Sequence, residues 1–156
     1  MASKGGGKAA RVSLVIVSTR SHSSLKASLD AVLANDLNDV EIIVVDCCSN
    51  EEMSDLVNCY PSATFLRASD KACSPLLAGA GLSRASGEII AVTDTSCLVS
   101  SSWVANLVKA HSLRSLVIGG SVEPFERMNL LDWSAYFCDY GQFMHPLQAG
   151  PANVLP

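Results

Sequence analysis

The sequence is short of charge, and what charge it has is not basic. Charged residues make up 17% of the 156, with 11 Lys plus Arg against 15 Asp plus Glu and a formal net charge of -4. A nucleic-acid binder would carry a basic stripe, and none is present. No apolar run approaches 18 residues, which excludes a transmembrane helix. The start, M-A-S-K-G-G-G-K-A-A, lacks the apolar stretch of a signal peptide and reads as a flexible arm over residues 1–11. Met1-Ala2 is not the Met-Gly start that myristoylation needs. There is no C-x-x-C, no zinc-finger spacing of Cys and His, no internal repeat, no P-loop and no G-x-S-x-G elbow. Six cysteines without a secretory signal read as reduced, mostly buried thiols of a cytosolic protein.

Apolar residues, by contrast, are 49% of the chain, enough to bury a core. Five apolar runs read as strands: Val12 to Ser18, Val40 to Asp46, Ala63 to Ala68, Glu88 to Asp94 and Ser115 to Gly119. They are nearly continuous in Val, Ile and Leu, the mark of strands buried on both faces of a parallel sheet. Helical patterns lie between them. Leu25, Leu29, Val32 and Leu33 share one face of the first. Ser49 and Glu52 form a capping box for the second, with Met53, Leu56 and Val57 facing inward. Ser74-Pro75 supplies an N-cap and a first-turn Pro for the third, which Gly87 stops. Ser100 to Ser102 precede a fourth with Trp103, Val104, Leu107 and Val108. A last helix starts near Asn129 and carries Leu130, Trp133, Phe137 and Met144. Trp103, Trp133, Phe137 and Tyr140 are expected in the core. Strands alternating with helices predict an α/β domain over residues 12–156, with a mainly parallel central sheet.

Ligands of such sheets bind outside the carboxyl ends of the strands. Those ends carry Ser18-Thr19-Arg20, Asp46-Cys47-Cys48-Ser49 and Asp94-Thr95-Ser96. Two apolar strands that each end in Asp suggest a nucleotide or metal-nucleotide pocket, since a carboxylate accepts hydrogen bonds from ribose or base and binds divalent cations. The plainer reading is that each Asp caps the turn after it. The two are expected at neighbouring strand ends, facing a common cleft. Gly79-Ala80-Gly81 is a partial dinucleotide fingerprint, but it lies inside a helical pattern and has Arg84 at the third glycine position. Cys47 and Cys48, before a helix start, leave open a thiol redox protein.

Three stretches together resemble the family 2 glycosyltransferases with the Rossmann-like GT-A fold. They are V-S-L-V-I-V-S-T-R, E-I-I-V-V-D-C-C-S and A-G-L-S-R-A-S-G-E-I-I-A-V-T-D-T-S, and the likeness runs from Val12 to Pro124. G-G-S-V-E-P and L-L-D-W-S-A-Y-F-C-D-Y resemble a bacterial branch, which also has a Cys and a Trp after the fourth strand, like Cys97 and Trp103. The resemblance implies a nucleotide-diphosphate-sugar donor and transfer of its glycosyl group to an acceptor hydroxyl. It implies that Val17 and Ser18 lie along base and ribose through their backbone. Asp46 matches the first Asp of the V-D-D-x-S motif, and Asp94 the first Asp of the D-x-D motif, which holds a divalent metal (Mn or Mg) and the donor. Three positions depart from the pattern. Cys47 stands for the second Asp of V-D-D, Ser96 for the last Asp of D-x-D, and Ala78-Gly79 for an Arg-Asn pair. The chain therefore reads as the donor-binding half of a longer enzyme, whose catalytic base is outside it, or as a degenerate member. The alternative is a non-catalytic binding module that lost the metal site. The expected location is the cytoplasm, with the inner membrane face as a variant of it.

Overall fold

The structure is a computed structural model and describes residues 12–19, 22–47, 53–69, 72–112, 117–124, 129–148 and 150. The chain divides into two compact units, one up to Val108 and one from Lys109. The first holds β1 (Val12–Ser18), α1 (His22–Leu33), β2 (Val40–Asp46), α2 (Met53–Cys59), β3 (Ala63–Arg67), α3 (Ser74–Arg84) and β4 (Ile89–Asp94), and α4 (Trp103–His111) runs across the division. The second holds α5 (Leu130–Asp139) and a 3-10 turn, Gly141–Phe143.

The four strands form one parallel sheet in the order β3-β2-β1-β4. All seven residues of β1 are buried, Ser13 and Ser18 included, because β1 has a strand on either side and helices above and below. Successive side chains of a strand point to opposite faces. Val12, Leu14 and Ile16 join Ile42, Val44 and Ala91 against Leu25, Leu29 and Val32 of α1, Leu56 of α2 and Val104 of α4. Val15 and Val17 join Ile43 and Val45 on the other face, against Leu77 of α3. There α3 comes close enough that a Cβ on Gly81 would lie 2.3 Å from Val15 Cγ1 and 3.1 Å from Val45 Cγ2.

A hydrogen-bonded chain ties the amino end of the sheet together. The Gly87 amide donates to Ser13 Oγ at 2.7 Å, and the Ser13 hydroxyl donates to Glu41 Oε1. That oxygen also accepts from the Ser86 amide at 2.6 Å and the Ser86 hydroxyl at 2.8 Å. Burial alone would push the Glu41 carboxyl up, but the donors from Ser13, Ser86 and Gly87 outweigh it and hold the group below its ordinary value. Gly87 is needed there for closeness, since a Cβ would meet the Ser13 amide nitrogen at 2.7 Å.

Several expectations shift. The N-cap of α3 is Cys73, Ser74 being the first helical residue, and the helix ends at Ala85 in extended conformation rather than at Gly87. Strand β3 stops at Arg67 and β4 starts at Ile89. Val117, Ile118 and Gly119 are not a strand, while Ser115 and Leu116 lie outside the described residues. Their apolar run is too short to distinguish strand from coil. The Ser49–Glu52 capping box also lies outside them. Leu33 and Val57 are exposed, each at the rim of its helix's apolar stripe. Helix α5 is closed at its start by a capping box. Asn129 Oδ1 accepts from the Leu131 and Asp132 amides at 2.9 and 3.0 Å, and Asp132 Oδ2 accepts from the Asn129 amide at 3.1 Å. Met144 follows the helix instead of riding on it. Trp133 and Phe137 are exposed rather than core residues. They stack on each other at 5.4 Å beside Tyr136, whose hydroxyl donates to the Val122 carbonyl at 2.6 Å. Of the five described cysteines, Cys47 and Cys97 are half-buried and Cys59, Cys73 and Cys138 exposed; all five are free thiols, and none is fully buried. Among the described residues no helix is long and apolar enough to cross a membrane.

Candidate functional site

The strand order reverses at β1. The chain steps outward from β1 to β2 to β3, then crosses back through α3 to lay β4 on the other side of β1. The crevice at the carboxyl ends of β1 and β4 is therefore the switch point, where open parallel sheets hold their ligands. Ser18 is the register partner of Asp46, and Val17 of Asp94. The sheet thus brings all four sequence-predicted residues to one edge. It does not make the two aspartates neighbours, because β1 runs between their strands.

The end of β1 is stitched to both flanking strands. The Val17 carbonyl accepts from the Thr95 amide at 3.1 Å, and the Ser18 carbonyl from the Cys47 amide at 3.2 Å. Each carbonyl keeps a second lone pair for a ligand. Ser18 is wholly buried, and its hydroxyl has no hydrogen-bond partner among the described residues. Such a group is costly to leave unsatisfied. Asp46 is equally buried beside it, held by its own interactions.

Asp94 is exposed. Its Oδ1 accepts the Ser96 amide at 2.6 Å and also the Ser96 hydroxyl, while the Cys97 amide donates to the Asp94 carbonyl at 3.2 Å. This is an Asx turn, the capping role that a carboxylate after a strand commonly takes. Thr95, between them, is buried. Burial first, and then the charge of Asp94, push the Cys97 thiol above its ordinary value, with the Ser96 contact pulling the other way.

Asp94 is the only carboxylate of its turn, and one of its oxygens already takes two donors from Ser96. Among the described residues no group of three or more His, Cys, Asp and Glu is placed to hold a metal ion. A hard divalent cation seeks about six oxygen ligands, preferably charged. The turn as built does not fit that demand.

Thr19, named with the polar end of the first strand, is exposed beside this edge, while sequence reasoning passed over the Ser13–Glu41–Ser86 chain at the opposite edge. The signal for the latter was available, since Ser13 and Glu41 are polar interruptions in otherwise apolar runs. A cavity of about 280 Å³ lies at that opposite edge, lined by Val12, Asp39, Val40 and Val104 among others, and none of the predicted site residues borders it.

A model of glycosyl transferase family 2 matches residues 13–149. No curated protein matches the chain. Among solved structures, S. aureus TarS 1-349 superposes with a TM-score of 0.67 at 15% identity, over 77% of this chain and 38% of that one. The same protein in complex with UDP-GlcNAc gives 0.62 at 16% identity, over 76% and 36%. The mannosyltransferase PcManGT from Pyrobaculum calidifontis, in complex with GDP-Man and Mn2+, gives 0.56 at 23% identity, over 73% and 36%. The chain thus spans well under half the length of these proteins, and the shared part is the α/β fold with its parallel sheet.

Proposed function

The chain belongs to glycosyl transferase family 2, and from that premise we propose that it is the donor-binding part of a glycosyltransferase, taking a nucleotide-diphosphate sugar whose glycosyl group passes to an acceptor hydroxyl. One observation carries the reading. Val17, Ser18, Asp46 and Asp94 all lie at the carboxyl edge of the sheet, at and beside the point where the strand order reverses. That solved structures of the same fold are complexes with UDP-GlcNAc and with GDP-Man supports it.

In this reading the nucleoside lies across the end of β1. The second lone pairs of the Val17 and Ser18 carbonyls accept from base or ribose donors, and the buried Ser18 hydroxyl gains the partner it lacks. Asp46 sets the charge beneath the base side. Asp94 accepts ligand hydroxyls through Oδ2, its Oδ1 being committed to Ser96. In transfer, the bond from the sugar's anomeric carbon to the phosphate oxygen breaks, a bond to the acceptor oxygen forms, and a base takes the acceptor's proton.

A binding module without transfer is the second reading. It is favoured by Ser96 and Cys47 standing where the family pattern has carboxylates.

A thermal-shift series with UDP-, GDP- and dTDP-sugars tests the proposal. A donor at a hundred times its dissociation constant stabilises by about 2.7 kcal/mol, an evident shift. Flat melting curves with every donor at millimolar concentration would sink it.

A further inference from the structure

We propose that Ser96 makes donor binding at this site independent of a divalent cation: its amide and hydroxyl both close on Asp94, leaving a carboxylate suited to accept ligand hydroxyls rather than to anchor a metal. The inference rests on the nucleotide-sugar reading above and adds the mode of recognition.

The geometry is local and specific. Asp94 Oδ1 takes the Ser96 amide at 2.6 Å and the Ser96 hydroxyl as well. Two donors already occupy one of the two carboxylate oxygens. They also fix its rotamer, because the amide belongs to the backbone of the same turn. The hydroxyl proton of Ser96 is spent on Asp94, so Ser96 can offer a cation only a neutral oxygen. Among the described residues, Oδ2 takes no hydrogen bond, and the residue is exposed. A single outward carboxylate oxygen with a fixed direction is a good acceptor for a ribose or sugar hydroxyl, giving a short, charge-assisted bond. It is a poor sole protein ligand for Mn²⁺ or Mg²⁺, which want several charged oxygens in near-ideal octahedral order. Asp94 sits at the switch point as the register partner of Val17, within reach of whatever lies along β1.

Three chains decide the matter by calorimetry with UDP and GDP as probes, each in EDTA and in Mn²⁺: the parent, Ser96→Asp and Ser96→Asn. For the parent, the dissociation constant of the better nucleotide is expected to change by less than about twofold between the two conditions. Ser96→Asp adds the missing carboxylate and is expected to bind about tenfold tighter with Mn²⁺, the equivalent of about 1.4 kcal/mol. Ser96→Asn adds bulk without charge and is expected to behave as the parent. Tenfold tighter binding of the parent in Mn²⁺ would overturn the inference while leaving the nucleotide-sugar reading intact. A Ser96→Asn chain that gains Mn²⁺ dependence would overturn the charge argument. No nucleotide binding by the parent in either condition overturns the site reading itself, and this inference with it. The parent's two titrations alone suffice should a variant fail to fold, which melting curves will show.

Discussion

Asp46 and Asp94 leave the same edge of the sheet on opposite faces. Asp46 is in register with Ser18, and Asp94 with Val17. Since consecutive residues of β1 point to opposite faces, so do their partners. Asp46 therefore belongs to the side of α1, α2 and α4, and Asp94 to the side of α3. Between them runs β1, so their backbones are two strand spacings apart, about 10 Å. A ligand that touches both must straddle the end of β1.

Straddling has an energetic signature. Asp46→Ala and Asp94→Ala should each weaken nucleoside-diphosphate binding by about 1–3 kcal/mol if each loses a charged hydrogen bond. Groups about 10 Å apart should act additively to within about 0.5 kcal/mol. Calorimetry on the two single variants and the double variant measures this. An Asp46→Ala chain with the parent's affinity would mean that Asp46 serves the fold alone.

Glu41 predicts a pH effect on stability. Its folded carboxyl is held below the ordinary value of 4.5 by the Ser13, Ser86 and Gly87 donors despite burial. A lowered folded value means that the ionised form is stabilised by folding. The contribution is complete above pH 4.5 and is lost as pH falls through the lowered value. Glu41→Gln should therefore be less stable than the parent at pH 7, by about 1–2 kcal/mol. The gap should narrow as pH falls below 4.5 and through the lowered value. Urea unfolding at several pH values reads it directly.

Cys97 should react slowly with thiol reagents. Burial and then the negative charge of Asp94 raise its thiol above the ordinary value, so little thiolate is present at pH 8. The exposed Cys59, Cys73 and Cys138 should be alkylated first in a peptide-mapped time course. Asp94→Asn should speed Cys97 by removing one of the two causes. An unchanged rate would show that the charge of Asp94 does not reach the sulfur.

Gly81→Ala should destabilise the chain by about 1–3 kcal/mol, as overpacking does. The new methyl would stand 2.3 Å from Val15 Cγ1. Val15→Ala in the same chain should recover part of the loss. Denaturant midpoints of the three variants give the answer.

The strands that were legible are the ones buried on both faces. The runs Val12–Ser18 and Val40–Asp46 match β1 and β2 end to end, because double burial writes an unbroken apolar string. At β3 the burial is only partial and the boundary moved. The order of strands was not legible, since such strings look alike and pairing is a long-range choice. The faces of Asp46 and Asp94 follow from that order and register, so the common cleft expected for them could not be read in advance. The Asx turn was within reach. Asp followed two residues later by Ser is local chemistry, and the capping alternative named it; what the motif comparison saw as a missing carboxylate is in the fold a donor aimed at the remaining one. The N-cap of α3 moved by one residue because Pro75 fits either of the first helical positions.

The close seat of α3 at Gly81 fixes one wall of the site mechanically. Where a helix rides on side chains, it can slide or roll by small repacking steps. Here its backbone at Gly81 comes directly onto Val15 and Val45, with Leu77 packed on the same face one turn earlier. A shift of one residue in either direction would bring Ala80 or Leu82 onto the same two valines, where even a methyl has no room. The helix is thus keyed to the sheet like a tooth in a notch, and its first turn, at Cys73 and Ser74, is held at a constant height above the carboxyl edge. That height is therefore set by the notch at Gly81, a position apart from the polar groups at the strand ends.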